Sequence, residues 1–169
     1  MLGGVTALLA AAVGAALLSV PYVPQREDTC GPAALAMVLR YWGRPVLHDE
    51  LAATLVDPEL HGTPGARLAE LARAEGLRAV AFSGDLAALR EAIARGRPPL
   101  VAWAMGGGRY HNVVVVGFAG DSPVVHDPAR GAARRVPRDR FESRWAGAGH
   151  WTLLVAPEAP APAPESPPP

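Results

Sequence analysis

Helix signals early in the chain and strand signals late in it predict an α+β domain, and three observations carry that expectation. Residues 31–42 form a helical run that is apolar nearly all round, as a helix buried at the centre of a fold is. Residues 110–118 hold the strongest strand pattern, with β-branched Val113, Val114, Val115 and Val116 in succession. Strand-like runs then follow one another with short turns, which favours antiparallel pairing. The expected architecture is an N-terminal helical half packed on a C-terminal antiparallel sheet.

The 169 residues suit one domain. Residues 2–20 carry no charge and are read as a signal peptide or membrane anchor, which implies an extracytoplasmic location and possible membrane attachment. The expected folded unit is then residues 21–156, and residues 157–169 are a Pro-rich low-complexity tail, expected to be disordered. Pro21-Tyr22-Val23-Pro24 breaks the first apolar run and leads in an extended segment. The central helix over 31–42 is stopped by Gly43-Arg44-Pro45. A short helix is expected over 48–55. Thr63-Pro64 reads as N-cap and first helical residue of a helix running to about residue 75, stopped by Gly76. Residues 77–82 read as a strand, and 85–95 as a helix opened by Ser83-Gly84-Asp85 and closed by Gly96. Residues 99–104 are an apolar strand, and Gly106-Gly107-Gly108-Arg109 a flexible loop before the valine-rich strand. Residues 124–127 form a further strand stopped by Pro128, residues 136–145 hold a short helix or turn, and 150–155 are a last strand.

Formal net charge is zero, which gives no reason to expect a nucleic-acid partner. All 16 basic residues are Arg, a sign of genome composition bias more than function. Cys30 is the single cysteine, so an intrachain disulfide and a cysteine-rich zinc site are both excluded.

Cys30 sits at the last polar position before the central helix. Helix N-termini present unpaired N–H groups and a partial positive charge, which favour a thiolate. An activated thiolate needs a base, and among the five histidines only His111 opens a long buried strand directly after a glycine loop. An imidazole needs an acceptor to hold its tautomer, and Asp127 ends the strand expected to hairpin back beside it. Two-residue alternation puts His111, Val113 and Val115 on one face and pairs Val125 with Asp127, leaving His126 on the other as a structural or exposed residue. A tetrahedral oxyanion needs donors, and the helix N-terminal N–H at Cys30 and the upstream amide of Gln25 are candidates.

Taken with Pro24-Gln25, Cys30-Gly31-Pro32-Ala33-Ala34, the run His111 to Gly117, Asp127-Pro128 and Gly131, the sequence resembles the papain-like bacteriocin-processing, or double-glycine, cysteine peptidase family over about residues 20–156. The resemblance implies a papain-like fold with a cleft between its halves and a peptide or protein substrate. It implies Cys30 as nucleophile, His111 as general base and acid, Asp127 as orienting residue and Gln25 as oxyanion donor. No six-helix membrane domain or nucleotide-binding domain follows in this sequence, and with its export-like start it looks like free-standing exported bacterial relatives.

No cofactor or metal is expected: His126 with Asp127, and His48 with Asp49 and Glu50, match no closed zinc spacing. Gly106-Gly107-Gly108 lacks the ending of a phosphate loop. The six arginines from Arg130 to Arg144 read as a solvated face. Trp103, Trp145 and Trp151 read as core or cleft wall. The sequence leaves two rivals to hydrolysis open, a non-catalytic peptide-binding module on the same fold and acyl transfer from the same thioester to an amine.

Overall fold

The computed structural model describes residues 17–158. Most of the apolar segment over 2–20 and of the tail over 157–169 therefore lies outside the described residues. Five helices and six strands follow in the order α1 (Cys30–Tyr41), α2 (His48–Leu55), α3 (Gly65–Ala74), β1 (Arg78–Ser83), α4 (Leu86–Ala94), β2 (Leu100–Gly106), β3 (Arg109–Ala119), β4 (Ser122–Asp127), β5 (Gly131–Arg135), α5 (Arg138–Ala146) and β6 (Trp151–Ala156). The strands form one antiparallel sheet in the order β1-β6-β2-β3-β4-β5.

Two apolar cores lie on opposite faces of this sheet. On one face, α1 is buried from Gly31 to Leu39 and packs with α2 and α3 over Leu100, Val114, Val116, Leu153 and Val155. On the other, Leu89 of α4 and Phe141 and Trp145 of α5 pack with Val101, Trp103, Val113, Val115 and Val125. β3 is thus buried on both faces, which explains its valine run without alternation. α1 is apolar all round because β3, α2 and α3 enclose it.

Residues 17–20 lie against the sheet. The register of β3 on β4 slips between Val115 and Gly117, so Val116 is the extra residue of a bulge. Its carbonyl accepts the N–H of Leu18 at 2.8 Å. Leu17 then lies over Gly117, where an added Cβ would come within 2.6 Å of the leucine side chain.

Three local expectations are corrected. The loop before β3 is shorter than expected: only Gly107 and Gly108 lie between the strands, with φ of 60° and 73°, the geometry of a two-residue hairpin that glycine adopts without a Cβ penalty. Thr63 is not the N-cap of α3, because Pro64 takes that position in extended geometry and the helix begins at Gly65. The Arg-rich stretch is largely exposed, as expected of a solvated face, but no strand was expected in it. It forms the edge strand β5 and then α5, and the pattern hid the strand because an edge strand exposed along its length carries no apolar alternation.

Candidate functional site

The cleft opens at the end of the sheet where α1 begins. It has a volume of about 660 Å3 and is lined by Gln25, Cys30, Thr63, His111, Asn112 and Trp151, among others. Its entrance carries exposed Leu60, Met105 and Tyr110.

Cys30 is the first residue of α1, and the chain reaches it through a tight turn. Thr29 does not cap the helix with its side chain; its hydroxyl accepts the N–H of Arg26 at 2.8 Å and donates to the Arg26 carbonyl at 3.0 Å. Asp28 adopts φ 57° in that turn. Pro32 falls in the first helical turn, where a missing N–H costs nothing. Upstream, the N–H of Gln25 donates to the Pro128 carbonyl at 2.9 Å, and the Tyr22 hydroxyl bonds the Asp127 carbonyl at 3.1 Å. The segment carrying Gln25 is therefore laced to the end of β4, next to Asp127. The side-chain oxygen of Gln25 is buried in the cleft wall, with no partner among the described residues.

His111 lies on β3 opposite Trp103 of β2, whose indole packs behind its ring at 6.3 Å between centroids. Nε2 of His111 meets Oδ1 of Asp127 at 2.8 Å, leaving Nδ1 as the nitrogen free to face the thiol. The Asp127 side chain is 3% exposed and that of His111 10%, so water competes little for this bond. Oδ1 of Asp127 also accepts the N–H of Ala129 at 3.0 Å, and Oδ2 faces Arg130 at 3.4 Å. Among the described residues, the closed side-chain hydrogen bond to the sulfur comes from Nδ2 of Asn112, at 3.8 Å. The imidazole of His111 acts on the same sulfur.

These contacts shift all three ionisations. Burial opposes charge on Cys30, but hydrogen bonds and charge from His111, with further hydrogen bonds from Asn112, outweigh it and lower the thiol below its ordinary range. Burial likewise disfavours a charged His111, yet Asp127 and the sulfur outweigh it and push the imidazole up to about 9. Asp127, opposed by burial, is held below the usual carboxylate range by His111, Ala129 and Arg130. The sign is consistent throughout: a thiolate and an imidazolium stabilise each other beside a carboxylate.

Of the residues expected from sequence, Cys30, Gln25 and His111 line the cleft, and Asp127 stands behind His111. His126 lies elsewhere and is structural: the Ala133 N–H donates to its Nδ1 at 3.0 Å, and its Nε2 meets the Val20 carbonyl at 2.9 Å. His61 pairs with Asp28 at 3.1 Å on the cleft rim. Trp103 and Trp145 are core, and Trp151 forms cleft wall. Asn112 is the residue that sequence reasoning missed. A signal was present, since it is the chain's single asparagine and Gln25 its single glutamine.

Helices and an antiparallel sheet flanking a cleft with a thiol, an imidazole and a carboxylate define the class of papain-like cysteine peptidase folds. Comparison with known proteins is specific within that class. The Peptidase_C39 like family matches residues 17–152, and the chain belongs to it. Over 142 residues the chain is 34% identical to the transport/processing ATP-binding protein ComA of Streptococcus pneumoniae, covering 80% of this chain and 18% of that protein. The chain thus spans under a fifth of that relative's length. Among solved structures, it is similar to a double glycine motif protease from an AMS/PCAT transporter in complex with the leader peptide, with 25% identity, TM-score 0.69, and coverage of 84% and 94% of the two chains. It is similar too to the peptidase domain of Streptococcus ComA, with 26% identity, TM-score 0.69, and coverage of 80% and 97%.

Proposed function

We propose that this chain is a cysteine endopeptidase that hydrolyses a peptide bond through a thioester on Cys30. The observation that carries the reading is the order sulfur, imidazole, carboxylate: His111 faces the thiol and is gripped from behind by Asp127 at 2.8 Å. The Cys30 thiolate attacks the scissile carbonyl carbon. Negative charge then develops on the carbonyl oxygen, and the Gln25 amide and the N–H at the start of α1 are its donors. For that role the Gln25 amide group must face the substrate, with its oxygen held in the wall. Collapse of the tetrahedral species breaks the C–N bond, and His111 delivers its proton to the leaving amine. Water then attacks the thioester while His111 takes its proton, releasing a carboxylic acid and restoring the thiol. A peptide substrate is supported by the leader peptide bound to the solved neighbour and by the apolar entrance at Leu60, Met105 and Tyr110. The uncharged run over residues 2–20 supports action outside the cytoplasm.

The test is mass spectrometry of a peptide library incubated with wild-type protein, with Cys30→Ala and with His111→Ala. Hydrolysis by the wild type alone is expected, with Cys30→Ala retaining intact peptides. Cleavage by Cys30→Ala at the wild-type rate overturns the reading. Tight capture without turnover by the wild type points to a binding module, and a new amide with an added amine points to acyl transfer.

A further inference from the structure

Successive residues of a strand point to opposite faces, so His111 and Asn112 leave β3 in opposite directions. His111 joins the face of Val113, Val115 and Trp103, and Asn112 the α1 face of Val114 and Val116. Both nevertheless meet Cys30 in one cleft, where α1 begins, and Nδ2 of Asn112 lies 3.8 Å from its sulfur.

Position 112 continues an apolar face into the core, and pattern alone would place an aliphatic residue there. Asn112 is 7% exposed. A buried carboxamide is costly unless its donors are used. One of them is used on the sulfur, at 3.8 Å.

The neighbouring backbone is shaped for this approach. A Cβ on Gly31 would stand 3.3 Å from Nδ2 of Asn112, and 3.0 Å and 3.3 Å from Cβ and Oγ1 of Thr63. Gly31 leaves room for Asn112 to close on the first turn of α1.

We propose that Asn112 is a further residue of the nucleophile's machinery, its carboxamide N–H stabilising the Cys30 thiolate from the face of β3 opposite His111. This rests on the reading of Cys30 as nucleophile. A carboxamide donor favours the anion over the neutral thiol and stays uncharged at every working pH, so it supports ionisation without titrating. The lowered ionisation of Cys30 is in keeping with it, since both the side chain and the backbone of Asn112 act in that direction. Asn112 thereby supports the anion before attack and takes no part in the proton transfers of His111.

The chain provides a clean test, because it has one cysteine, one asparagine and one glutamine. Alkylation by iodoacetamide reports Cys30 alone, and selective asparagine labelling reports one side-chain amide. In the wild type, the 15N and 1H shifts of the Asn112 amide are expected to follow the same pH midpoint as alkylation, and to lose that step in Cys30→Ala. Asn112→Leu is expected to move the thiol midpoint up by about one pH unit, a tenfold loss of thiolate on the acid side. Asn112→Asp, the same shape with a carboxylate, is expected to move it further up, whereas Asn112→Ser, which keeps a donor, moves it less than Leu. A purely structural role predicts lower melting temperatures with the midpoint unmoved, and that result overturns the proposal. Amide shifts that stay flat through the thiol midpoint overturn it as well, without any substitution at 112. His111→Ala separates the two readings. If it shifts the midpoint and the Asn112 variants do not, Asn112 is dismissed and the nucleophile assignment stands. If wild-type Cys30 titrates as an ordinary thiol, both readings fall.

Discussion

Asp127→Asn removes one charge from the site while keeping its shape. Oδ1 of Asp127 accepts from His111 at 2.8 Å and from the Ala129 N–H at 3.0 Å. An asparagine oxygen in that place satisfies both donors. The new amide nitrogen then faces Arg130, whose half-exposed side chain at 3.4 Å is free to swing toward water. The loss is therefore chiefly that of a negative charge in hydrogen-bond contact with the imidazole. Asp127 and the Cys30 sulfur together raise His111 to about 9 against burial. An opposite charge at this range shifts an ionisable group by about one to three units, so the imidazole is expected to fall by about one to two units in the variant. A charge-assisted hydrogen bond also becomes a neutral one, which costs roughly 1–2 kcal/mol. That corresponds to a fall of about 5- to 30-fold in kcat/KM.

Because Cys30 is the only thiol, alkylation rate against pH is the assay. The wild type is expected to show two steps, the first as the pair forms and the second near 9 as the imidazolium loses its proton. In Asp127→Asn the first step rises and the second falls, so the window between them narrows. A second step that stays at the wild-type position refutes the electrostatic account of His111.

Gln25→Ala is expected to lower kcat by about 10²–10³ while leaving the alkylation profile of Cys30 nearly unchanged, since an oxyanion donor acts after attack. Gly65→Ala puts a Cβ 2.6 Å from the Trp151 ring, so thermal unfolding should show a loss of about 1–3 kcal/mol, with a displaced cleft wall. His126 is held neutral chiefly by burial, below its ordinary value. Its unfolded form binds a proton more readily, so its contribution to stability is present above the unfolded pKa and lost as pH falls below it. His126→Gln is accordingly expected to flatten the stability profile as pH falls below about 6.5, as read by melts on both sides of that value.

The chain's local signals made most of its elements legible. The all-apolar run after Cys30 marked the central helix, and the valine run marked the strand beneath it. Thr63 shows where local signals stop. Its spacing from Pro64 imitated a helix cap, but its hydroxyl is buried beside Gly31 with no partner among the described residues. Packing around the cleft, and not capping, decides its place. β5 was illegible for a related reason: pairing with β4 makes it a strand, and pairing leaves no trace in a sequence whose side chains are exposed.

Residue type and order by themselves determined which groups could do thiol chemistry here: one cysteine at a helix start, a histidine opening a buried strand, an aspartate ending its neighbour. Tertiary structure alone decided that α1 starts over the end of β3. That placement brings His111 and Asn112 to one sulfur from opposite faces of a strand, a convergence that two-residue alternation by itself would forbid. Alternation is a property of the backbone, whereas a shared contact depends on where a second element ends, and only packing sets that.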